Sequence, residues 1–174
     1  MDPDLTTDEA LLDSFAAGDA EALGRLAQRH ERALLGLALG LTGSRELAEV
    51  AVQDAWVRVI RSAAAFRGQS SVKTWMYRIV INRSRDLQKQ ESARPPVAAS
   101  AVIEPATPEL REAIRAALET LQPAHREAVL LCHHADLTHA QAAEVLNIPL
   151  GTFKSRVRTA LGRLEQILGT EVRS

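Results

Sequence analysis

Chemically useful side chains stand in three places along this chain, and the first is near its C-terminus. Lys154, Ser155 and Arg158 follow a short turn that contains Asn147 and Pro149. When a helix follows such a turn, cations at its start can enter the major groove of duplex DNA, where they reach guanine edges and phosphates. The segment therefore predicts a helix-turn-helix whose second helix, with four positive and no negative residues in 151–163, contacts DNA.

The second place mixes aromatic residues with cations: Phe66, Arg67, Lys73, Trp75, Tyr77, Arg78 and Arg83. Aromatic rings stack on unpaired bases while cations neutralise phosphates, so this mixture favours single-stranded nucleic acid over duplex. Trp75 shares a helical face with Ile79, a position that also suits a buried core residue. The segment therefore predicts a second nucleic-acid surface, in which Trp75 either contacts nucleic acid or packs in the core.

The third place is Cys132, His133 and His134, with His125 and His139 nearby. Three consecutive residues of a helix point in different directions and cannot share one ion, and no second ligand pair stands at zinc-finger spacing. The chain also lacks a recognisable nucleophile–base pair, a phosphate-binding glycine loop and a carboxylate pair. We therefore expect no metal, no cofactor, no catalytic residue and no small-molecule substrate.

The elements that position these residues are predicted to be helices. Of 174 residues 46% are hydrophobic and only 3% aromatic, and β-branched residues occur singly rather than in alternating runs. The first residues lack the basic and apolar regions of a signal peptide, and no apolar run is long enough to span a bilayer. A single cysteine excludes an internal disulfide. These features predict an all-α, cytoplasmic protein that is not inserted in a membrane.

Composition divides the chain into two small helical domains. Residues 91–108 contain four of the seven prolines and no helical periodicity, which predicts a flexible linker. Residues 1–90 should form a four-helix bundle and residues 109–174 a helix-turn-helix domain.

Charge is unevenly distributed along the chain. Residues 1–57 have a net charge of −7 (four Arg against eleven Asp or Glu), and residues 58–94 have a net charge of +7 (nine cations against two acids). An acidic block beside a basic block indicates one surface for a polyanion and another for a different partner.

Helix ends can be predicted from capping residues. Thr6 with Glu9 forms a capping box for the first helix, and Thr138 with Gln141 forms one for the first helix of the helix-turn-helix. The second helix ends at Thr42-Gly43-Ser44, Ser44 caps the third, and Thr152 caps the last. Asn147 suits a positive φ in the turn of the helix-turn-helix. The inward face of the third helix is predicted to be Leu47, Val50, Ala51, Ala55, Val59 and Ile60. That of the last helix is predicted to be Phe153, Val157, Ala160, Leu161 and Leu164.

Two stretches resemble a known family. Residues 46–90, with the motifs AVQDAW, FRGQSS and TWMYRI, closely resemble region two of the extracytoplasmic-function sigma factors, which belong to the sigma-70 family. Residues 121–164 resemble region four of the same family. The resemblance implies a promoter-recognition subunit of RNA polymerase, without catalysis of its own. Its partners would be core polymerase (the β′ coiled coil and the β subunit), promoter DNA and an anti-sigma factor.

The resemblance also implies a role for individual positions. Core polymerase would be bound by Val52, Gln53, Asp54, Trp56 and Arg58. The −10 element would be read and opened by Phe66, Arg67, Lys73, Trp75, Tyr77, Arg78, Asn82 and Arg83. Phe66 and Asn82 match positions that hold a flipped base. The −35 element would be contacted by Thr152, Lys154, Ser155, Arg156 and Arg158.

Two departures from the family leave an alternative open. Val50 stands where the family commonly has an acid, which alters the polymerase-docking surface. Thr159 and Leu161 replace two arginines that often follow in the recognition helix, which gives more weight to Lys154 and Arg158. The alternative is a sigma-like protein that does not initiate transcription, either a DNA-binding regulator or a decoy for an anti-sigma factor.

Overall fold

A computed structural model describes residues 6–91, 108–134 and 137–171, and within these ranges the chain forms eight α-helices and no strand. The helices are α1 (Asp8–Ala16), α2 (Ala20–Thr42), α3 (Arg45–Ser62), α4 (Val72–Glu91), α5 (Pro108–Glu119), α6 (Pro123–His134), α7 (His139–Leu146) and α8 (Leu150–Glu171). The predicted all-α class is confirmed. The predicted linker lies outside the described residues, except that its two ends, Glu91 and Pro108, belong to helices.

The first helix begins one residue later than predicted. Thr7, not Thr6, is the N-cap, and its hydroxyl accepts a hydrogen bond from the backbone N–H of Ala10 at 3.2 Å. The predicted box is wrong because both of its residues bond elsewhere. The Thr6 hydroxyl accepts from the Arg25 guanidinium at 3.1 Å, and the Glu9 carboxylate accepts from the N–H of Val72 at 3.0 Å. Glu9 therefore ties α1 to the start of α4.

A partly buried charge cluster holds α1 against α2. The Asp8 carboxylate lies 2.6 Å from His30 Nε2 and 3.1 Å from Arg29 Nη1. Burial alone would raise the pKa of Asp8, but the hydrogen bonds and charges of His30 and Arg29 outweigh it and lower the pKa below 3.8. Asp8 is therefore ionised at neutral pH, where its charge holds the two helices together.

The chain between α2 and α3 turns as predicted. Gly43 has a φ of 69° at the end of α2, a conformation that glycine adopts without strain. Ser44 caps α3 by accepting a hydrogen bond from the N–H of Leu47 at 3.3 Å. The predicted inward face of α3 is wrong at Val50 and Ile60, which are 39% and 46% exposed. The buried residues of α3 are Ala48, Ala51, Val52, Ala55 and Val59.

The helix-turn-helix is formed by α7 and α8. Thr138 and Gln141 make the predicted capping box of α7, and Asn147 ends this helix with a φ of 54°. The predicted N-cap of α8 is wrong, since the helix begins at Leu150 and Thr152 lies in its first turn. The N–H of Phe153 donates to the carbonyl of Pro149 at 3.0 Å, which starts the helical hydrogen bonds earlier than the sequence indicated.

The N-terminal and C-terminal helices share one buried cluster. It runs from Leu34 and Leu37 in α2 through Tyr77 in α4 to Leu130 in α6 and Phe153 in α8. A second, smaller cluster lies between α1, α2, α3 and α4 and contains Leu11, Leu12, Ala22, Leu26, Val59, Ala63, Val72 and Met76. The division into domains 1–90 and 109–174 therefore stays a prediction, and α2 and α4 are the helices that carry the contact between the two parts.

Candidate nucleic-acid interfaces

The loop between α3 and α4 is held in place by hydrogen bonds at both ends. A single 3-10 turn, Ala63–Ala65, leads out of α3, and the N–H of Phe66 donates to the carbonyl of Ala63 at 3.1 Å. At the other end the Ser71 hydroxyl accepts from the N–H of Thr74 at 3.1 Å at the start of α4. The polar loop of residues 66–71 is thereby fixed beside the first turn of α4.

Phe66 and Trp75 form an aromatic pair at this loop. Their ring centroids are 4.9 Å apart with the planes at 40°, and both side chains are only partly buried. A pocket of about 260 Å³ opens beside them, which we call the loop pocket; its lining is Arg58, Ser62, Ala65, Phe66, Arg67, Gln69, Ser70, Trp75 and Arg78. The volume and the partly exposed rings suit a flat, unpaired base.

A larger pocket of about 690 Å³ adjoins the first along α3 and α4, and we call it the groove pocket. Its lining is Asp54, Val57, Arg58, Arg61, Ser62, Trp75, Arg78, Ile79, Asn82, Arg83 and Asp86. The two pockets share Arg58, Ser62, Trp75 and Arg78. The structure thus brings the predicted Phe66 and Asn82 to adjacent pockets rather than to one.

Charge in these two pockets is predominantly positive. Their cations are Arg58, Arg61, Arg67, Arg78 and Arg83, and their acids are Asp54 and Asp86. Asp54 Oδ2 accepts from Arg83 Nε at 2.6 Å, so one acid is already neutralised by a cation. The surplus of arginines suits a phosphodiester backbone.

Two residues predicted as contacts belong to the core. Val52 is 4% exposed and Tyr77 is fully buried, so both side chains pack in the core of this fold, and their roles as contacts stay predictions. Their burial orients the residues next to them along the helix, Gln53 on α3 and Arg78 on α4. Trp56 is half-buried against both clusters, with its indole N–H buried and without a hydrogen-bond partner among the described residues.

The remaining predicted positions of region two divide between exposed and partly buried. On α3, Gln53, Asp54 and Arg58 are exposed. Among the −10 residues, Arg67 and Asn82 are exposed, and Phe66, Lys73, Trp75, Arg78 and Arg83 are half-buried. All of these side chains therefore reach the surface of α3, α4 or the loop between them.

Sequence reasoning missed several residues of this surface. Val57 and Arg61 line the groove pocket, and Gln69 and Ser70 line the loop pocket. Helical spacing could have found the first two, because Val57, Arg61 and Asp54 lie three or four positions apart on one face. Nothing in the local sequence indicated the lining role of the loop residues.

The start of α8 presents a basic face. Thr152, Lys154, Ser155 and Arg158 are exposed, and Arg156 is half-buried. Phe153, Val157 and Ala160 are buried and fix the helix against the rest of the fold. The prediction that Leu161 faces inward is wrong, since it is 48% exposed. Lys154, Ser155 and Arg158 thus project together from the first turns of a helix that follows a tight turn, the geometry that fits a major groove.

Among the described residues, cysteine and histidine side chains form no metal-ligand group. Cys132 is half-buried in α6, and burial raises the pKa of its thiol above the usual value. Within residues 6–91, 108–134 and 137–171, no three Cys, His, Asp or Glu side chains are placed to hold a metal ion. His139 instead packs against Phe153, with ring centroids 5.5 Å apart.

None of the described helices is long and apolar enough to cross a bilayer.

Comparison with known proteins finds the same two regions in the same order. Residues 26–94 match Sigma-70 region 2, and residues 111–164 match Sigma-70, region 4. The chain is 34% identical over 171 residues to the ECF RNA polymerase sigma factor SigM of Mycobacterium tuberculosis (strain ATCC 25618 / H37Rv), an alignment that covers 94% of this chain and 85% of that protein.

Two solved structures share the fold. One is CnrH in complex with the cytosolic domain of CnrY, with a TM-score of 0.77, 23% identity, and coverage of 94% of this chain and 97% of that chain. The other is the sigma factor RpoE in complex with the anti-sigma factor NepR from Bartonella quintana, with a TM-score of 0.67, 27% identity, and coverage of 84% and 96%. With both regions matched in order and an identity of 34% along most of its length, this chain belongs to the ECF family of RNA polymerase sigma factors.

Proposed function

We propose that this sigma factor divides promoter recognition between its two parts, with residues 1–90 contacting core polymerase and the −10 element and residues 109–174 contacting the −35 element. One observation carries the proposal. The chain presents two DNA-suited surfaces of different chemistry, an aromatic–arginine pocket pair and an exposed basic helix face, in parts that match region 2 and region 4.

The −10 contact is proposed to involve unpaired bases. Phe66 and Trp75 supply partly exposed rings at the loop pocket, and the arginines around both pockets supply positive charge for the backbone. One base stacks in the loop pocket, while Asn82 at the neighbouring groove pocket meets a second base edge or the adjoining sugar. Holding bases out of the stack offsets the free energy lost when the duplex opens.

The −35 contact is proposed to involve duplex DNA. Lys154 and Arg158 project from the same face of α8, four positions apart, and can reach base edges or phosphates of one groove. Thr152 before this pair and Ser155 within it supply hydroxyls that suit phosphate oxygens. Half-buried Arg156 lies at the edge of this face.

Core polymerase is proposed to dock on the outer face of α3. Gln53, Asp54 and Arg58 are exposed there, beside the apolar side chains of Val57 and Ile60. A mixed face with an apolar stripe suits packing against another helix. Asp54, Val57 and Arg58 also line the groove pocket, so docked polymerase lies beside the −10 surface, while the basic face of α8 is on another part of the chain.

A variant pair tests the division of labour in a run-off transcription assay with core polymerase. Phe66→Ala should leave binding to a −35 duplex unchanged and impair opening, seen as lost permanganate reactivity of thymines near −10. Lys154→Ala should weaken −35 binding by about 1–3 kcal/mol if it contacts a base edge. If it contacts a phosphate, all sequences should be weakened evenly and the salt dependence should flatten. The opposite pattern, with Lys154→Ala blocking opening at unchanged −35 affinity, would mean that the two parts are assigned the wrong way round.

Run-off transcription by the wild-type chain also separates this proposal from the alternative. A DNA-binding regulator or an anti-sigma decoy would bind its partner and yield no transcript, and Val50 in the docking face is the feature that favours it. We further propose that the chain is not an enzyme, that it acts in the cytoplasm with polymerase, and that an anti-sigma factor binds it, as NepR binds the sigma factor RpoE.

A further inference from the structure

The first turn of α4 is held from two sides. The N–H groups in the first turn of a helix have no acceptor within that helix. Ser71 supplies acceptors from the adjoining loop, since its hydroxyl accepts from the N–H of Thr74 at 3.1 Å and its carbonyl accepts from the N–H of Trp75 at 3.0 Å. Glu9 of α1 supplies another, because its carboxylate accepts from the N–H of Val72 at 3.0 Å across 63 residues of chain. The start of α4 is therefore tied to α1 as well as to the loop.

Glu9 is not the cap of its own helix. Thr7 caps α1, and its hydroxyl accepts from the N–H of Ala10 at 3.2 Å. Glu9 is an exposed residue, whereas the side chain of Val72 is fully buried, so the bond joins a surface carboxylate to an anchored helix start. A negative charge beside the N-terminal N–H groups of a helix also stabilises that end through the helix dipole. Glu9 therefore acts on α4, although it belongs to α1.

The aromatic pair of the loop pocket rests on the same helix. Phe66 and Trp75 both pack against the smaller buried cluster, to which α1 contributes Leu11 and Leu12. These two leucines are 1% and 0% exposed, and Phe15 of α1 packs against the cluster as well. The helix α1 therefore supports the two rings from the core, while their exposed parts face the loop pocket.

The short distance along the chain carries the position of Val72 to the loop pocket. Trp75 lies three residues after Val72, which is less than one helical turn, and Ser70 lies two residues before it. Both Trp75 and Ser70 line the loop pocket. A displacement of the helix start at Val72 therefore moves pocket residues on both sides of it.

We propose that Glu9 is a positioning residue for the loop pocket, and that its bond to Val72 holds the aromatic pair in the arrangement that receives an unpaired base. This inference rests on the proposed function for the nature of the ligand. Without the bond the first turn of α4 frays, and only a fraction of the chains has a pocket ready for a base. The apparent Kd rises in inverse proportion to that fraction. Since α1 precedes the residues 26–94 that match region 2, an element outside the matched region takes part in promoter opening.

Binding of a short single-stranded thymidine oligonucleotide to the full chain in complex with core polymerase tests the proposal. Glu9→Ala removes the acceptor and should weaken this binding about fivefold, the size of a lost helix cap. Glu9→Gln keeps an acceptor oxygen and should bind within about twofold of the wild type. The affinities for core polymerase and for a −35 duplex should be unchanged in both variants, because those surfaces lie on α3 and α8. A general loss of stability would lower all three affinities.

Asp8→Ala is the matched control, because Asp8 is the neighbouring residue of α1 and ties that helix to α2 rather than to α4. It should bind the oligonucleotide as the wild type does. Amide hydrogen exchange in residues 66–75 should become faster in Glu9→Ala and stay unchanged in Asp8→Ala. Wild-type oligonucleotide affinity in Glu9→Ala, or an equal loss in Asp8→Ala or Glu9→Gln, would overturn the proposal.

A double-mutant cycle with Phe66→Ala tests whether Glu9 acts through the aromatic pair. Once Phe66 is truncated, Glu9→Ala should weaken oligonucleotide binding by less than about twofold, because both changes act on the same pocket. An undiminished loss in that background would overturn the positioning role. If Phe66→Ala alone leaves oligonucleotide binding unchanged, the proposed base contact is contradicted, while hydrogen exchange in residues 66–75 still decides whether Glu9 holds the loop.

Discussion

Replacing Val57 and Ile60 by Ser should weaken polymerase binding without weakening the fold. Val50, Val57 and Ile60 are 39%, 39% and 46% exposed, although each is a large apolar side chain. With Gln53 they occupy positions i, i+3, i+7 and i+10 of α3, which lie on one face of a helix. A coiled-coil partner packed on this face would remove their exposed parts from water.

The exposed fractions set the size of the effect. Fully burying a Val or Ile side chain stabilises by about 1.5–3 kcal/mol, and somewhat less than half of each of these two is available for burial by a partner. Each substitution should therefore cost about 1 kcal/mol of binding free energy. The double variant should lose about 2 kcal/mol, which is about 30-fold in Kd. The free energy of unfolding should change by less than the binding free energy, because neither side chain belongs to a buried cluster.

Titration against a purified β′ coiled-coil fragment measures the loss. Leu161→Ser is the matched control, since Leu161 is 48% exposed but lies on α8, away from this face. The control should bind the fragment as the wild type does. Wild-type affinity in the double variant, or an equal loss in Leu161→Ser, would refute the docking of the coiled coil on the apolar stripe of α3.

Four further outcomes are expected. Val50→Asp should strengthen polymerase binding if the acid common in the family is a true contact, and an unchanged affinity would remove that assignment. Asn147→Ala should lower the free energy of unfolding by about 1 kcal/mol because φ at this position is 54°, whereas Asn147→Gly should be tolerated, as urea denaturation can show. Because the pKa of Asp8 is lowered in the fold, its stabilising contribution is present above pH 3.8 and is lost as pH falls through the lowered value; in acid titrations Asp8→Asn should remove this part of the pH dependence. Limited proteolysis should cut first within residues 91–108 and leave two stable fragments, whereas a first cut within residues 20–60 would contradict the two-domain prediction.

Helix boundaries could be predicted because they depend on neighbouring residues. Ser44 and Thr138 cap helices by accepting backbone N–H groups three residues away, and Gly43 and Asn147 end helices because they adopt positive φ readily. The start of α8 was misplaced because Thr152 is a good cap by type. The backbone was already helical two residues earlier, and no side-chain signal at Leu150 indicated it.

Helix faces were harder to predict because they depend on distant neighbours. In α3 the residues Val50 and Val52 have the same side chain, yet the first is exposed and the second is buried. The decisive feature is the row of small residues Ala48, Ala51 and Ala55, all almost fully buried. Small side chains let α2 and α4 approach α3 closely, so the helix turns its alanines inward and leaves larger apolar residues outside. A pattern of hydrophobicity alone predicts the opposite orientation, in which the larger Val50 faces inward.

The contact between the two parts was partly encoded in one residue, Glu127. It lies three and four positions before Leu130 and Leu131, so it stands on a face that is otherwise apolar. A carboxylate buried on such a face needs a cation, because its desolvation is too costly otherwise. The sequence therefore indicates that a basic partner exists. It cannot indicate which one, since Arg85 is 42 residues away and is one of many arginines in the basic block, and only the packing of α6 against the earlier helices makes the choice.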